Sequence, residues 1–289
     1  MPSRDTPCER PGFPASARHT EAMSIPRAFV GALVGTFVGA LSLTAPAAPP
    51  AQAQTLDASF AQLAAAVPAA IGIAYAPVGQ NVAGRLGTLQ SGVAWSTIKV
   101  PLAIAAIRAN VPDAQALATR AITASDNDAA EKLWSELGPA PQAAQQVQAI
   151  LRAGGDAATV VQSQRVRPDF TAFGQTPWPL ASQAVFGAHL PCMGVATPVY
   201  SLMSNTIASQ RWGLATVGAP TKGGWGPGPS GGYLVRQFGV VGTPAGLLAV
   251  ALAAQPNDGS FDSGVAALNK MTQWLSANAA ALPGGRCTG

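Results

Sequence analysis

Ser96 and Lys99 stand three residues apart at the start of an apolar stretch that predicts a helix as far as about Asn110. Residues three apart share one face of a helix, so the hydroxyl and the ammonium group can meet. A serine becomes nucleophilic when a neighbouring lysine with a lowered pKa takes its proton. The apolar neighbours Trp95 and Ile98 would lower that pKa by disfavouring the charged ammonium. The pair therefore indicates nucleophilic chemistry, although its spacing is common and needs support elsewhere in the chain.

Two further polar motifs follow in order. Ser125-Asp126-Asn127 precedes a predicted helix over 129–137, and Lys222-Gly223-Gly224 lies in a predicted strand that ends at Trp225. Each has a purely structural alternative. Ser125-Asp126-Asn127 could simply cap the helix, since Ser, Asp and Asn all favour that position. Lys222-Gly223-Gly224 could be a surface turn.

The elements that must position these motifs run in the order strands, helices, strands. Apolar periodicity predicts helices over 56–67, 96–110, 114–122, 129–137, 141–151, 180–190, 199–209 and 262–279, and strands over 70–76, 85–89, 219–225, 233–241 and 246–253. This order predicts an α/β (α+β) fold, in which terminal helices flank an antiparallel sheet. We expect one domain over 54–289, with a sheet part formed by 54–95 and 214–289 and a reduced helical part formed by 96–213.

The first 53 residues are typical of a leader. Arg27 precedes the uncharged apolar run 28–43, and Ala51-Gln52-Ala53 resembles a cleavage site. We expect a signal peptide over 23–53, with 1–22 as an upstream extension. The predicted location is secreted or in the cell envelope, without a membrane span after cleavage. The alternative is a retained single-span anchor.

The composition excludes several classes of function. The formal net charge is +4 without a basic run, which gives no case for nucleic acid binding. His189 is the one histidine after the leader, so we expect no metal or other cofactor, and a Ser-His-Asp triad would depend on His189 alone. Cys192 and Cys287 form an even pair that suggests one disulfide in an exported chain. Two buried free thiols are the alternative.

The three motifs resemble, in order, the signatures of serine β-lactamases and penicillin-binding proteins. The stretch 121–130 is similar to the corresponding segment of class A enzymes almost position by position. The resemblance covers most of the chain after the leader and implies a β-lactamase/transpeptidase-like fold. It also implies that Ser96 becomes acylated, that Lys99 acts as base or proton relay, and that Ser125 carries a proton to the leaving nitrogen.

The same resemblance implies a set of substrate-binding groups. Asn127 would bind the substrate amide, and Lys222 in the Lys222-Gly223-Gly224 motif would attract a substrate carboxylate. The backbone N–H groups of Ser96 and Trp225 would form the oxyanion hole. Arg236 is a looser candidate for carboxylate binding, with a solvated strand charge as the alternative.

The chain also departs from the class A pattern. Gly223 replaces the usual Thr or Ser, and the separation between the first two motifs is shorter. The deacylating glutamate has no counterpart, because the acids between 137 and 222 are Asp156 and Asp169, and Gln175 cannot act as a base. We therefore expect a monomeric exported serine hydrolase or acyl-transferase that acts on β-lactams or D-alanyl peptides and deacylates slowly or not at all. The alternative is a binding protein of the cell envelope on the same fold.

Overall fold

Five strands form one antiparallel sheet in the computed structural model, which describes residues 55–288. The strands are β1 Ala69–Pro77, β2 Gly84–Gly87, β3 Thr221–Pro227, β4 Tyr233–Thr243 and β5 Gly246–Pro256. Their order across the sheet is β2-β1-β5-β4-β3. One sheet thus combines strands from both ends of the described chain, as the sequence predicts, and the structure adds that β1 pairs with β5 and that β3 lies at an edge. The predicted leader lies outside the described residues.

Both faces of the sheet are covered, and β5 shows why. Leu248, Val250 and Leu252 pack with the cluster that contains the terminal helices, α1 (Leu56–Ala66) and α8 (Phe261–Ala277). The alternate residues of β5 are alanines, which pack against the other core cluster. Successive strand residues point to opposite faces, so a continuous apolar run is what a doubly covered strand requires. The rings of Phe60 in α1 and Trp274 in α8 lie 5.1 Å apart and close the first layer.

The second layer is helical. Its helices are α2 Lys99–Arg108, α3 Ala114–Thr123, α4 Asn127–Glu136, α5 Ala140–Ala153, α6 Leu180–His189 and α7 Thr197–Leu202. Helix α2 lies at the centre, and every residue from Lys99 to Ala106 is buried. Helix α6 packs directly on β1 and β5. No helix within 55–288 combines the length and the apolar character that crossing a membrane requires.

Two sequence predictions need correction. Ser96 does not lie on the α-helix itself but in a 3-10 turn, Trp95–Ile98, that leads into α2. The helix predicted over 199–209 ends at Leu202. Beyond that point the backbone makes turns and also bonds to neighbouring segments, since Ile207 N donates to Thr123 O and Met203 O accepts from Thr221 N.

Cys192 and Cys287 form a disulfide with a Cα–Cα distance of 5.3 Å. The bond ties the segment after α6 to the C-terminal end of the described chain. The prediction of a bridged pair is therefore confirmed, and the alternative of two free thiols is wrong.

Candidate active site

The turn that carries Ser96 is strained and closely packed. Trp95 has a φ of 48°, which is unusual for a bulky residue. Strand β3 approaches the turn so closely that a Cβ atom on Gly224 would lie 2.8 Å from Ser96 N. Only glycine allows this approach, which places the Ser96 backbone beside the edge of the sheet.

The three residues of the second motif, Ser125-Asp126-Asn127, have different structural roles. Asp126 caps α4, because its Oδ1 accepts a hydrogen bond of 3.0 Å from Ala129 N. That bond, together with Arg120 at 2.9 Å, lowers the pKa of the Asp126 carboxyl. Ser125 has a φ of 58°. The capping alternative is thus correct for Asp126, whereas Ser125 and Asn127 direct their polar groups toward Lys99.

Lys99 is almost completely buried, with 1% of its surface exposed. Its Nζ donates to Ser125 O at 2.6 Å and to Asn127 Oδ1 at 2.7 Å, and it lies 3.5 Å from Ser125 Oγ. Among the hydrogen bonds of residues 55–288, none joins Lys99 to Ser96. Burial lowers the pKa of Lys99 to about 8, against the opposing effect of Asp126 and Glu131. The sequence therefore predicted the lowered pKa correctly, but the closest partners of the ammonium group belong to the second motif.

Lys222 reaches the same serine from the opposite side. Its Nζ donates to Ser125 Oγ at 2.9 Å and to Gly223 O at 2.8 Å. The residue is fully buried, so the alternative of a surface turn is wrong. Burial, followed by repulsion from Lys99, holds the pKa of Lys222 well below its usual range. The Ser125 hydroxyl therefore lies between two buried lysines and accepts a hydrogen bond from each.

The edge strand β3 presents alternate peptide groups to the site. Thr221 N bonds to Met203 O, outside the sheet, and Pro227 O accepts from Arg167 Nη1 at 2.6 Å. In an antiparallel strand every second residue points both backbone groups the same way. Trp225 has the same parity as Thr221 and Pro227, so its N–H also points away from β4. Proline at 227 fits this register, because an outward N–H has no strand partner.

A cleft of about 220 Å³ opens beside this turn. Of the candidate residues from the sequence, Ser96, Lys99, Asn127 and Trp225 line the cleft. Ser125, Lys222 and Gly224 lie behind this lining and are not part of it. The second motif thus reaches the cleft directly through Asn127 and indirectly through Lys99, and the edge strand reaches it through Trp225.

The loop before α6 and strand β4 supply lining residues that the motifs did not indicate. Asp169 and Thr171 come from the loop, and Tyr233 comes from β4. Tyr233 pairs directly with Pro227 across the hairpin, so strand register could have identified it. Asp156 lies elsewhere, buried, where its carboxylate accepts from Trp178 Nε1 at 2.8 Å. Gln175 is also buried and bonds to its own loop, in which Arg167 N donates to its Oε1 at 2.8 Å.

The packing of the Trp212 ring explains why position 223 is a glycine. A Cβ atom at this position would lie 2.6 Å from a carbon of the Trp212 ring. The indole occupies the space that the usual Thr or Ser side chain would need. The missing hydroxyl is thus coupled to Trp212, a bulky residue eleven positions earlier in the chain, which no local pattern reveals.

The suggested role of Arg236 in carboxylate binding requires correction. Arg236 is fully buried and does not line the cleft, so the alternative of a solvated charge is also wrong. Its Nη1 donates to Gly92 O and Val93 O, and its Nη2 donates to Trp178 O and Gln183 Oε1. All four terminal N–H groups are engaged within the protein, so none is available to a substrate.

Solved structures of class A β-lactamases share this architecture. TLA-3 extended-spectrum β-lactamase matches with a TM-score of 0.62 and 11% identity, over 76% of this chain and 96% of its own. A class A β-lactamase from Bacteroides cellulosilyticus matches with a TM-score of 0.61 and 12% identity, over 77% and 98%. A β-lactamase from Burkholderia vietnamiensis matches with a TM-score of 0.58 and 19% identity, over 79% and 98%.

No family model matches the chain, and no curated protein sequence matches it significantly. The similarity therefore resides in the fold, and it extends over nearly the whole length of the solved structures. The described residues adopt a divergent serine β-lactamase-like fold.

Proposed function

We propose that the protein is a serine hydrolase or acyl-transferase of the β-lactamase-like type, which acts through an acyl-enzyme on Ser96. The observation that carries this proposal is the hydrogen-bonded series Lys99, Ser125, Lys222 beside a cleft that Ser96 lines. Three motifs from distant parts of the chain converge there, and two of the groups are buried lysines with lowered pKa values. Such convergence of buried ionisable groups is costly for stability and is typical of sites that perform chemistry.

The acylation step follows from this arrangement. Ser96 Oγ attacks the carbonyl carbon of a β-lactam or a D-alanyl peptide, and its proton passes to Lys99 in the neutral form. The carbonyl C–N bond then breaks, and the leaving nitrogen takes the hydroxyl proton of Ser125, which a lysine replaces. The outward N–H of Trp225 and the N–H of Ser96 are the donors for the oxyanion. A lysine with a pKa of about 8 is neutral often enough near neutral pH to serve as the base.

Deacylation is the step for which the cleft is poorly equipped. Water must attack the ester carbonyl while a general base takes its proton. Asp169 is the one carboxylate among the cleft-lining residues, and it is exposed. Glu131 in α4 pairs with Arg165 at 2.7 Å and does not line the cleft. We therefore propose slow turnover, with the substrate class limited to small β-lactams or peptidoglycan-like peptides.

The cellular setting belongs to the same proposal. A disulfide is typical of an oxidising compartment, which supports an exported, cell-envelope location. The protein would act as a monomer, without nucleic acid and without a membrane span after signal cleavage.

A labelling gel with fluorescent penicillin tests the proposal. We expect covalent labelling of the wild type and none of Ser96→Ala. Ser135→Ala removes an exposed hydroxyl on α4 and serves as the matched control, which should label like the wild type. Equal labelling of Ser96→Ala and wild type would contradict the role of Ser96.

A binding protein on the same fold is the second candidate. It is favoured by the ammonium of Lys99, which bonds to Ser125 O and Asn127 Oδ1 instead of to Ser96. In this case titration calorimetry would detect saturable binding of penicillin or a D-alanyl peptide, while mass spectrometry would detect no adduct. A mass increase that disappears in Ser96→Ala would exclude this candidate.

A further inference from the structure

We infer that Arg236, Gln183 and Thr97 form a directed hydrogen-bond chain that positions the Ser96 turn, an inference that rests on the proposed acylation of Ser96. Arg236 Nη2 donates to Gln183 Oε1 at 2.6 Å, and Gln183 Nε2 donates to Thr97 Oγ1 at 3.0 Å. Thr97 Oγ1 then donates to Ala94 O at 2.5 Å. All three side chains are fully buried, so water does not compete for these bonds.

The chain has a single direction because its first member can only donate. A guanidinium group has no acceptor, so Gln183 must turn its amide oxygen toward Arg236 and its amide nitrogen toward Thr97. A hydroxyl carries one proton. Since the Thr97 oxygen accepts from Gln183, its proton is directed to Ala94 O. Arg236, on β4, thereby fixes the orientation of a hydroxyl beside the reactive serine.

The bonds end where the backbone is strained. Ala94 immediately precedes Trp95, whose φ of 48° is costly and persists only when the surroundings impose it. Arg236 Nη1 also donates to Gly92 O at 2.9 Å and to Val93 O at 3.1 Å. One arginine therefore contributes, directly or through the chain, to holding the carbonyl groups of three successive residues before Trp95, and Trp178 N and Thr97 N donate to the first and the third of them. Holding this segment fixes where Ser96 enters the cleft.

A role in stability alone explains Arg236 poorly. None of its hydrogen bonds in the described structure goes to a carboxylate. A buried cation without a counterion is costly, and apolar residues of similar volume often replace buried charges at no loss of stability. Burial lowers the pKa of Arg236 to about 9, so it remains a cation at neutral pH and keeps its donors. Arg236, Gln183 and Thr97 are thus positioning residues, since none of them lines the cleft.

The replacement Gln183→Glu tests the direction of the chain. The new carboxylate has the same size and pairs with Arg236, but it accepts from Thr97 instead of donating to it. The hydroxyl proton of Thr97 then turns away from Ala94 O. Thr97→Val removes the hydroxyl at constant volume, and Thr97→Ser retains it as the conservative control. The measurements are the rate of acylation by fluorescent penicillin, the melting temperature, and amide hydrogen exchange of the peptide 92–98.

We expect acylation to fall about tenfold in Gln183→Glu and Thr97→Val, the factor that corresponds to one hydrogen bond of ordinary strength. Thr97→Ser should stay near the wild-type rate, and Gln183→Glu should melt no lower than the wild type. Exchange in the peptide 92–98 should accelerate in Gln183→Glu and Thr97→Val alone. This separation of rate from stability would not arise from a structural role.

The two hypotheses fail in different ways. If the wild type is not labelled by penicillin, the proposed function fails, and exchange in the peptide 92–98 still decides whether the chain holds the turn. Acylation and exchange of Gln183→Glu equal to those of the wild type would overturn the positioning role. A rate that simply follows the melting temperature in all three variants would overturn it as well.

Discussion

Lys99 Nζ lies 2.6 Å from the carbonyl oxygen of Ser125, a residue 26 positions later in the chain. The same ammonium group lies 3.5 Å from Ser125 Oγ, and Lys222 Nζ lies 2.9 Å from that hydroxyl. Ser125 is therefore the residue at which all three motifs meet. The polar groups of the site are thus connected through Ser125 of the second motif, and they do not form an isolated Ser96–Lys99 pair.

The buried ammonium of Lys99 should make stability depend on pH. The pKa of Lys99 is about 8 in the folded protein, below its usual value of 10.5, so the unfolded chain binds this proton more tightly. The free energy of unfolding should therefore rise as the pH increases from about 8 to about 10.5, by roughly 3 kcal/mol relative to Lys99→Met. Urea denaturation across this range measures the effect.

Lys270→Met, which removes an exposed lysine on α8, is the control and should retain the wild-type slope. Parallel curves for Lys99→Met and the wild type would contradict a lowered pKa at Lys99.

Turnover should stop at the acyl-enzyme. A positioned general base contributes roughly 10²–10⁴-fold, and the cleft offers no carboxylate except that of Asp169. After mixing with penicillin, mass spectrometry should detect a long-lived adduct that disappears in Ser96→Ala and persists equally in Asp169→Asn. Asp113→Asn, at a residue that does not line the cleft, controls for the loss of a charge. Rapid multiple turnover that is lost in Asp169→Asn would instead identify Asp169 as the base.

A hydroxyl cannot be restored at position 223 without cost. Gly223→Ser should lower the free energy of unfolding by about 1–3 kcal/mol, because the new Cβ would lie 2.6 Å from the Trp212 ring. The cost should shrink when the same change is made in Trp212→Leu, which vacates the space. Gly242→Ser in β4, where a Cβ has no heavy atom within 4 Å, should be nearly neutral. Equal costs in both backgrounds would show that Trp212 is not the obstacle.

The disulfide should contribute substantially to stability. Replacing Cys192 and Cys287 together by serine should lower the free energy of unfolding by roughly 2–4 kcal/mol, since the bond closes a long loop of the unfolded chain. Thermal denaturation in oxidising buffer measures this loss. Reducing agent should lower the melting temperature of the wild type but not that of the double variant. Two reactive thiols in denatured, non-reduced protein lacking the leader would refute the bond.

Much of the architecture was predictable because its signals are local. The apolar run of β5 marks a strand covered on both faces, and the order of elements indicates that strands from both ends of the chain share one sheet. The three motifs indicated polar side chains that the fold brings together around Ser125. The second motif satisfied both interpretations, because Asp126 caps α4 while its neighbours Ser125 and Asn127 contact Lys99.

The contacts that orient the site were not predictable, because they join residues far apart in sequence. Arg236 resembles a solvated strand charge until its bonds to Gly92 and Gln183, 144 and 53 positions away, are known. From the sequence, Gly223 is only a departure from the Thr or Ser of the class A pattern. The structure explains it by the Trp212 ring that lies beside it. Periodicity reports which face of an element is apolar, and motifs report residue types. Which buried donor meets which acceptor depends on how the layers pack, and that packing determines the direction in which Lys99 and Thr97 point.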